Sequence, residues 1–160
     1  MELFTALPLD RICLVCHTYC MENDDLKKFK NICLGVKKSF SEKGWDFDSR
    51  FNSLLIVFDH KWADPVMHTL DEEFTWRWDS KSIKKASKAI KKLVKSLYGI
   101  EPGQFIYADE SDALEMALYA AWWPWGNGET ISLRISIYSP GKDIITDNDV
   151  KKYLIEWFDI

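Results

Sequence analysis

Two of the chain's three histidines belong to a pattern that could carry acid–base or metal chemistry. Asp59 and His60 follow a short apolar run, and Asp64 and His68 continue from His60 at intervals of four residues. Imidazole and carboxylate groups can transfer protons or bind metal ions. Pro65 would break a helix that aligned them, and a solvated loop explains the same residues. A small enzyme using this segment is therefore an alternative hypothesis and not the preferred one.

Cysteines form a second candidate site. Three are closely spaced near the N-terminus beside His17, and the fourth stands next to Ile32 in a helical pattern. Thiolate and imidazole ligands at such spacing suit tetrahedral zinc. Buried free cysteine is also common in reducing compartments, so core packing is the preferred interpretation and zinc the alternative. The cysteines concerned are Cys13, Cys16, Cys20 and Cys33.

The common signatures of catalysis and nucleotide binding are missing from the sequence. It has no glycine-rich phosphate-binding loop, no dinucleotide fingerprint, no serine nucleophile elbow, no zinc-protease motif and no EF-hand loop. The sequence therefore predicts a binding protein rather than an enzyme, without a cofactor or a bound metal.

The aromatic content is the strongest indication of a binding surface. The chain has 8 Trp, 6 Tyr and 9 Phe among 160 residues. Trp76 and Trp78 are two residues apart and would share one face of a strand. Trp122, Trp123 and Trp125 surround a Pro/Gly turn, where burying three rings at once is difficult. Trp and Tyr dominate interface hot spots, so both groups are predicted to bind a partner, with an internal aromatic core as the alternative.

Acidic residues stand close to both aromatic groups along the chain and would surround such a patch with negative charge. In this respect the small, acidic chain is similar in style to bacterial immunity or inhibitor proteins, a comparison that rests on composition alone. It predicts an inhibitor of a basic partner, such as a bacterial toxin with nuclease activity, with carboxylates replacing phosphates. The predicted acids are Asp71, Glu72, Glu73, Asp109, Glu110 and Asp112.

One segment has the opposite charge. Residues 80–99 hold 7 of the chain's 21 basic residues and none of its 25 acidic ones. The preferred interpretation is the solvated face of an amphipathic helix. The second alternative function is an adaptor that binds nucleic acid or an anionic membrane through Lys81 to Lys95. All of these bases are lysine, which argues against specific nucleic-acid recognition because arginine is the usual base-reading residue.

Length and composition predict a single domain over residues 1–160. Hydrophobic residues make up 47%, charged residues 29%, and the net charge is −4, which is typical of a folded protein and not of a disordered one. No run approaches the roughly 18 apolar residues of a membrane span, and the N-terminus does not resemble a secretory signal. The expectation is a cytoplasmic protein that does not bind membranes, and homo-oligomerisation stays open because aromatic patches also serve it.

Hydrophobic periodicity predicts an α+β domain with a mixed or largely antiparallel sheet of about five strands and three to four helices. The predicted helices occupy residues 23–40 and 80–99, a segment that opens between Asp109 and Asp112 and stops at Pro124, and a last segment capped by Thr146. The predicted strands are residues 11–20, 54–58, 74–78, 105–108 and 131–137.

Overall fold

Six strands form one sheet, and four helices pack on it, in the part of the chain that the structure describes. The computed structural model describes residues 9–40, 44–111, 115–140 and 144–160, with side chains from residue 24 onward. The helices are α1 (Leu9–Ser39), α2 (Ala63–Glu73), α3 (Lys88–Ser96) and α4 (Asp147–Phe158). The strands are β1 (Asp46–Asp48), β2 (Ser53–Asp59), β3 (Trp76–Trp78), β4 (Phe105–Glu110), β5 (Ala117–Pro124) and β6 (Thr130–Tyr138). Single 3₁₀ turns at His60–Trp62 and Ser82–Lys85 precede α2 and α3.

The strand order is β1-β2-β6-β5-β4-β3, and every neighbouring pair is antiparallel. The predicted α+β class and antiparallel sheet are confirmed. The sheet has one strand more than the five predicted, because β1 is only three residues long and shows too little alternation to be recognised in the sequence.

One face of the sheet is covered by three helices. Leu118, Leu133 and Leu54 of the sheet pack in one buried cluster with Phe29 of α1 and Leu154 of α4, and α2 joins the same cluster. Burial of this apolar area is the main stabilising contribution to the fold. None of the helices in the described ranges is both long and apolar enough to cross a bilayer.

The opposite face is only half covered. Ile90 and Leu93 of α3 pack over β4 and β5, where Ala108 and Ala121 leave room for the helix. Helix α3 is the one α-helix in this second cluster among the described residues, and Val57 on β2 remains 45% exposed on the same face. No described helix covers the half of this face formed by β2 and β6, although Ser132 and Ser136 of β6 are only 3% exposed there.

The strand predicted for residues 11–20 was wrong, since this segment is the first part of α1. The predicted helix over residues 23–40 was correct but too short. No glycine or proline occurs between Leu9 and Leu34, so nothing in the sequence ends the helix between the two segments. β-branched residues at 11–20 favoured the strand, but their preference is weak compared with continuation of an established helix.

The helix predicted to end at Pro124 was also wrong, because residues 117–124 form β5. This strand is central, and residues 116–122 are all buried. A strand buried on both faces appears in sequence as a continuous apolar run, which periodicity alone does not separate from a helix. The strands predicted around residues 54–58, 105–108 and 131–137 are confirmed as β2, β4 and β6, and the 74–78 prediction corresponds to the shorter β3.

The long helix predicted over residues 80–99 is divided into a 3₁₀ turn and α3. Ser87 lies between them and caps α3, since its hydroxyl oxygen accepts a hydrogen bond from the Ile90 N–H at 3.1 Å. At the other end, the Gly99 N–H donates to the Val94 carbonyl at 2.9 Å, and the Tyr98 N–H donates to Lys95 at 3.2 Å. Both residues at this end have a positive φ, 101° at Gly99 and 65° at Tyr98.

Replacing Tyr98 with glycine is expected to stabilise the protein by about 1 kcal/mol, because a β-carbon in the left-handed region costs about that much. The Tyr98 ring is 94% exposed, so little packing is lost. Urea denaturation of the full chain would measure the change. Tyr98→Ala is the control, since it removes the ring and keeps the β-carbon; equal stability of the two variants would contradict the prediction.

The last helix begins as predicted. The Thr146 hydroxyl accepts from the Asp149 N–H at 3.2 Å, and the Asp149 carboxylate accepts from the Thr146 N–H at 2.9 Å. These reciprocal bonds form a capping box. Hydrogen bonds from Thr146 also hold the pKa of Asp149 below its usual value, so the cap is intact at neutral pH.

Candidate protein-binding surface

Exposed apolar side chains collect on the uncovered half of the sheet. Val57 is 45% exposed on β2, and Phe51, in the turn before β2, is 38% exposed. Val57 is opposite Ser132, and Ser132 is opposite Trp123, so these three residues form one row across β2, β6 and β5. We call this surface the open half-face and define it by Phe51, Leu55, Val57, Trp123, Trp125, Ser132 and Arg134.

Trp125 extends this surface beyond the end of β5. Its N–H donates to the Thr130 carbonyl at 2.8 Å, which continues the β5–β6 pairing by one residue. The side chain of Trp125 therefore points to the same face of the sheet as that of Trp123, and Trp125 is 50% exposed. The open half-face thus presents two indole rings at one end of the sheet.

Arg134 lies at the centre of the open half-face and holds its rings in place. The guanidinium carbon is 4.8 Å from the centroid of the Phe51 ring and 5.1 Å from that of Trp123. Only 12% of the Arg134 side chain is exposed. Cation–π contacts of this kind strengthen when water is excluded, so the arginine stabilises both rings in a fixed orientation.

Asp48 forms an ion pair with Arg134. Its Oδ2 is 3.2 Å from Arg134 Nη2 and 2.9 Å from Arg50 Nη2. Asp48 also accepts from the Arg50 backbone N–H at 3.1 Å, which fixes the turn that carries Phe51. The hydrogen bonds from Arg50, together with those from Arg134, lower the pKa of Asp48 to about 2. The carboxylate is therefore ionised at any physiological pH.

A cleft of about 440 Å³ separates the open half-face from α3. The pKa of Tyr119, on its floor, is raised to about 12 by burial, so the phenol stays neutral. The cleft is large enough for one or two side chains of a bound protein. Among the residues that line it are Arg50, Phe51, Leu97, Tyr119, Ser136 and Tyr138.

Acidic residues stand at the rim of the open half-face. Asp46 is exposed on β1 opposite Leu55. Asp59 is exposed at the end of β2, 3.9 Å from Lys61 Nζ. Glu129 is exposed in the β5–β6 turn, and its carbonyl accepts from the His60 N–H at 2.6 Å. These three carboxylates form a rim at different positions from those predicted.

The sheet separates Trp122 from the other two tryptophans of its predicted group. Trp122 faces the three-helix side, where it is 3% exposed and packs against Phe58 with ring centroids 5.6 Å apart. Trp123 and Trp125 face the opposite side, because neighbouring residues of a strand alternate. Trp122 therefore belongs to the core and not to a binding surface.

Trp76 and Trp78 form a second aromatic patch on the edge strand β3. Their rings are stacked with centroids 5.6 Å apart and an angle of 17° between planes. Trp76 is 53% exposed, whereas Trp78 packs against the cluster beneath α3. The patch shares a sheet face with the open half-face, but β4 lies between β3 and the tryptophans of β5.

The predicted acids near α2 are largely occupied by intramolecular contacts. Arg77 Nη1 lies 3.0 Å from both carboxylate oxygens of Asp71, and His68 lies 3.3 Å from Glu72. The Glu73 carboxylate lies over Gly35 of α1, in space that a β-carbon there would occupy. Asp71 and Glu72 remain exposed, so they can still contribute negative charge beside Trp76.

Asp109 does not lie at the surface, contrary to its expected place in a rim. It is 2% exposed, accepts hydrogen bonds from the Thr75 N–H and hydroxyl at 2.7 and 2.8 Å, and pairs with Lys28 at 2.9 Å. Glu110 is half-buried and accepts from the Ser87 hydroxyl at 2.7 Å. Asp112 lies outside the described residues.

The alternative enzyme site is spread along the surface. Asp59 caps the 3₁₀ turn that contains His60, and Asp64 and His68 are exposed on α2. Contrary to the expectation from the sequence, Pro65 does not break α2, because it lies in the first turn, where an N–H has no intrahelical acceptor. Within the described ranges, no three His, Cys, Asp or Glu residues are grouped so that they could hold a metal ion.

Of the four cysteines, Cys33 is fully buried in the core cluster. Burial raises the pKa of its thiol, so the sulfur stays protonated and is a poor metal ligand. Cys13, Cys16 and Cys20 lie on α1, and their side chains fall outside the description, as does that of His17.

Sequence reasoning did not include Phe51, Val57 or Arg134 among the predicted partner-binding residues. Val57 belongs to a continuous apolar run, which is typical of a strand buried on both faces, and its exposure depends on where α3 packs. The one available signal was Arg134, which alternates with isoleucine and leucine on β6 and therefore indicated that this strand has one polar face.

Comparisons with protein-family models, with curated proteins and with solved structures found no match for this chain.

Proposed function

We propose that this chain is a protein-binding domain whose partner docks on the open half-face. The observation that carries the proposal is the uncovered sheet surface on which Phe51, Val57 and Trp125 are 38%, 45% and 50% exposed. Contiguous apolar surface of this kind is typical of interaction sites. Trp and Arg are also the residues most enriched in interface hot spots.

The fixed geometry of the surface favours a protein partner. Arg134 holds Phe51 and Trp123 at 4.8 and 5.1 Å, so their rings lose little conformational entropy when a partner binds. The adjacent cleft could accept an anchoring side chain of the partner. Asp46, Asp59 and Glu129 supply negative charge at the rim, which favours a partner with a basic surface and speeds its association.

The finer proposal is an inhibitor or immunity-type role, in which the chain covers the active site of a basic enzyme such as a nuclease toxin. Support comes from charge: outside residues 80–99 the chain holds all 25 acidic residues against two thirds of its 21 basic ones. Carboxylates at the rim can occupy the positions that substrate phosphates take in such an enzyme.

Substitutions that change the charge and shape of the open half-face test whether the partner binds there. We expect V57K/W125A to lower the affinity for the natural partner by at least roughly 100-fold, because truncating a hot-spot residue costs 2 kcal/mol or more. The matched control is L34K, which alters a 41% exposed apolar residue on α1. The measurement is stoichiometric co-purification from the native cell, followed by titration of the purified partner.

Three outcomes of this experiment would contradict the proposal: no stoichiometric protein partner, equal loss of binding by L34K, or full retention by V57K/W125A. Retention together with loss in W76A would move the site to β3. The inhibitory role has its own test, since adding the chain to the purified partner should abolish that partner's enzymatic activity at equal molar amounts.

A further inference from the structure

The solvent side of α3 and of the 3₁₀ turn before it carries an array of lysines. All seven lysines between residues 81 and 95 are exposed. Lys92 lies 3.6 Å from Glu115. Among the described residues, no carboxylate lies within ion-pair distance of the other six, which are Lys81, Lys84, Lys85, Lys88, Lys91 and Lys95.

The helix geometry gathers these charges on one side. At about 100° per residue, the four lysines of α3 fall within an arc of about 100°. Ile90, Leu93 and Val94 occupy the opposite arc and are buried against the sheet. The packed side of α3 thus orients its four lysines outward, away from the sheet.

Tyr98 is a second, independent feature of this surface. It follows the last turn of α3, where its side chain is 94% exposed and its backbone is left-handed at φ 65°. Glycine would adopt this conformation without strain. A fully exposed aromatic ring at a strained position is stabilised by nothing within the described chain, which suggests that it contacts something outside it.

We propose that this lysine face, defined by the six lysines named above and Tyr98, binds the surface of an anionic lipid bilayer. Lysine clusters are attracted to acidic headgroups, and tyrosine is enriched at the level of the headgroups because its ring is apolar and its hydroxyl polar. The apolar side of α3 is already packed on the sheet, so the contact is electrostatic and the helix does not insert.

The same face is less suited to nucleic acid. It has no arginine, the residue that forms paired hydrogen bonds with phosphates and guanine. Tyr98 is its one exposed aromatic residue, whereas proteins that bind single strands offer successive stacking rings along a groove. A bilayer needs neither feature, because its charge is spread over a plane.

Vesicle sedimentation with the full chain tests this proposal. The probes are phosphatidylcholine vesicles with and without about 30 mol% phosphatidylserine, at salt from about 50 to 500 mM. We expect binding only to the phosphatidylserine vesicles and a steep loss with salt. K88E/K91E/K95E should bind at least roughly 100-fold more weakly, at about fivefold for each lysine removed. Tyr98→Gly should bind several-fold more weakly although its fold is retained.

The control K27E/K38E/K152E makes the same charge change at exposed lysines of α1 and α4, on the other side of the sheet, and should bind like the natural chain. If the acidic triple variant does not fold, K88Q/K91Q/K95Q replaces it. Equal binding to neutral vesicles, equal loss in the control, or unchanged binding by the lysine-face variants would overturn the proposal. Displacement from vesicles by a single-stranded oligonucleotide at equal charge concentration would assign the face to nucleic acid instead.

Discussion

Replacing Asp109 with alanine is expected to destabilise the protein by about 3 kcal/mol. The carboxylate is 2% exposed and receives two hydrogen bonds from Thr75 and an ion pair from Lys28. Its removal leaves the Thr75 N–H without its acceptor and breaks the link between α1 and the β3–β4 edge. Losing one partner of a buried ion pair typically costs 3 to 5 kcal/mol, and the low end applies because Lys28 is 42% exposed and can turn to solvent.

Asp71→Ala is the matched control. Asp71 also pairs with a cation, Arg77, but its side chain is 45% exposed, and pairs of that kind contribute less than about 1 kcal/mol. Urea denaturation of both variants at neutral pH would measure the difference. Equal destabilisation would mean that Asp109 is not a buried structural carboxylate, and that its place in a binding surface should be considered again.

The same residue explains why the predicted acidic rim moved. The sequence shows that Asp109 and Glu110 are acidic and adjacent, but it does not show which of them faces the core. Asp109 lies two residues after Tyr107 on β4, so both side chains point to the same face of the sheet, and both are buried. The Asp109 side chain therefore points toward α1. Charge is read directly from sequence, whereas burial depends on which helix covers which face.

The alternation of side chains along β5 also explains why Trp122 was wrongly placed in the predicted binding surface. Had residues 117–124 been recognised as a strand, the alternation from Trp122 to Trp123 would have placed one ring in the core and one on the opposite face. The continuous apolar run of this central strand concealed that alternation. One wrong secondary structure assignment therefore carried over into the predicted site.

Several of the correctly predicted elements have a clear period or a cap. Alternation identified β6, and the Thr146 and Asp149 capping box identified the start of α4. Leu26, Phe29 and Cys33 recur at helical spacing in α1. Local sequence suffices for such elements, whereas the order of strands and the position of α3 over half of one face arise from long-range packing.

The two proposed surfaces follow from that position of α3. Its apolar side covers β4 and β5 and leaves β2 and β6 open, and its other side presents the lysines. Both surfaces therefore lie on the same side of the sheet with opposite charge at their margins: the lysine face is cationic, and the open half-face has Asp46, Asp59 and Glu129 at its rim. A basic partner would be steered toward the open half-face and away from α3.

The open half-face itself depends on Asp48, and replacing it with alanine is expected to cost about 3 kcal/mol. Arg134, only 12% exposed, would keep its charge without the carboxylate that compensates it. The turn that carries Phe51 would also lose three hydrogen bonds from Arg50. We therefore expect partner binding to weaken together with stability, because Phe51 and Trp123 would no longer be held by Arg134.

The pH dependence of stability distinguishes the contribution of Asp48 from that of the other acidic residues. The pKa of Asp48 is lowered from 3.8 to about 2, so its stabilising contribution is fully present above the higher value and is lost as pH falls through the lower one. The difference in unfolding free energy between the natural chain and D48A should stay constant above about pH 5 and shrink as the pH falls toward 2. D46A, on the same face of β1 but exposed, should change stability by less than about 0.5 kcal/mol. A difference that persists undiminished in acid would mean that Asp48 stabilises the turn by packing and not by its charge.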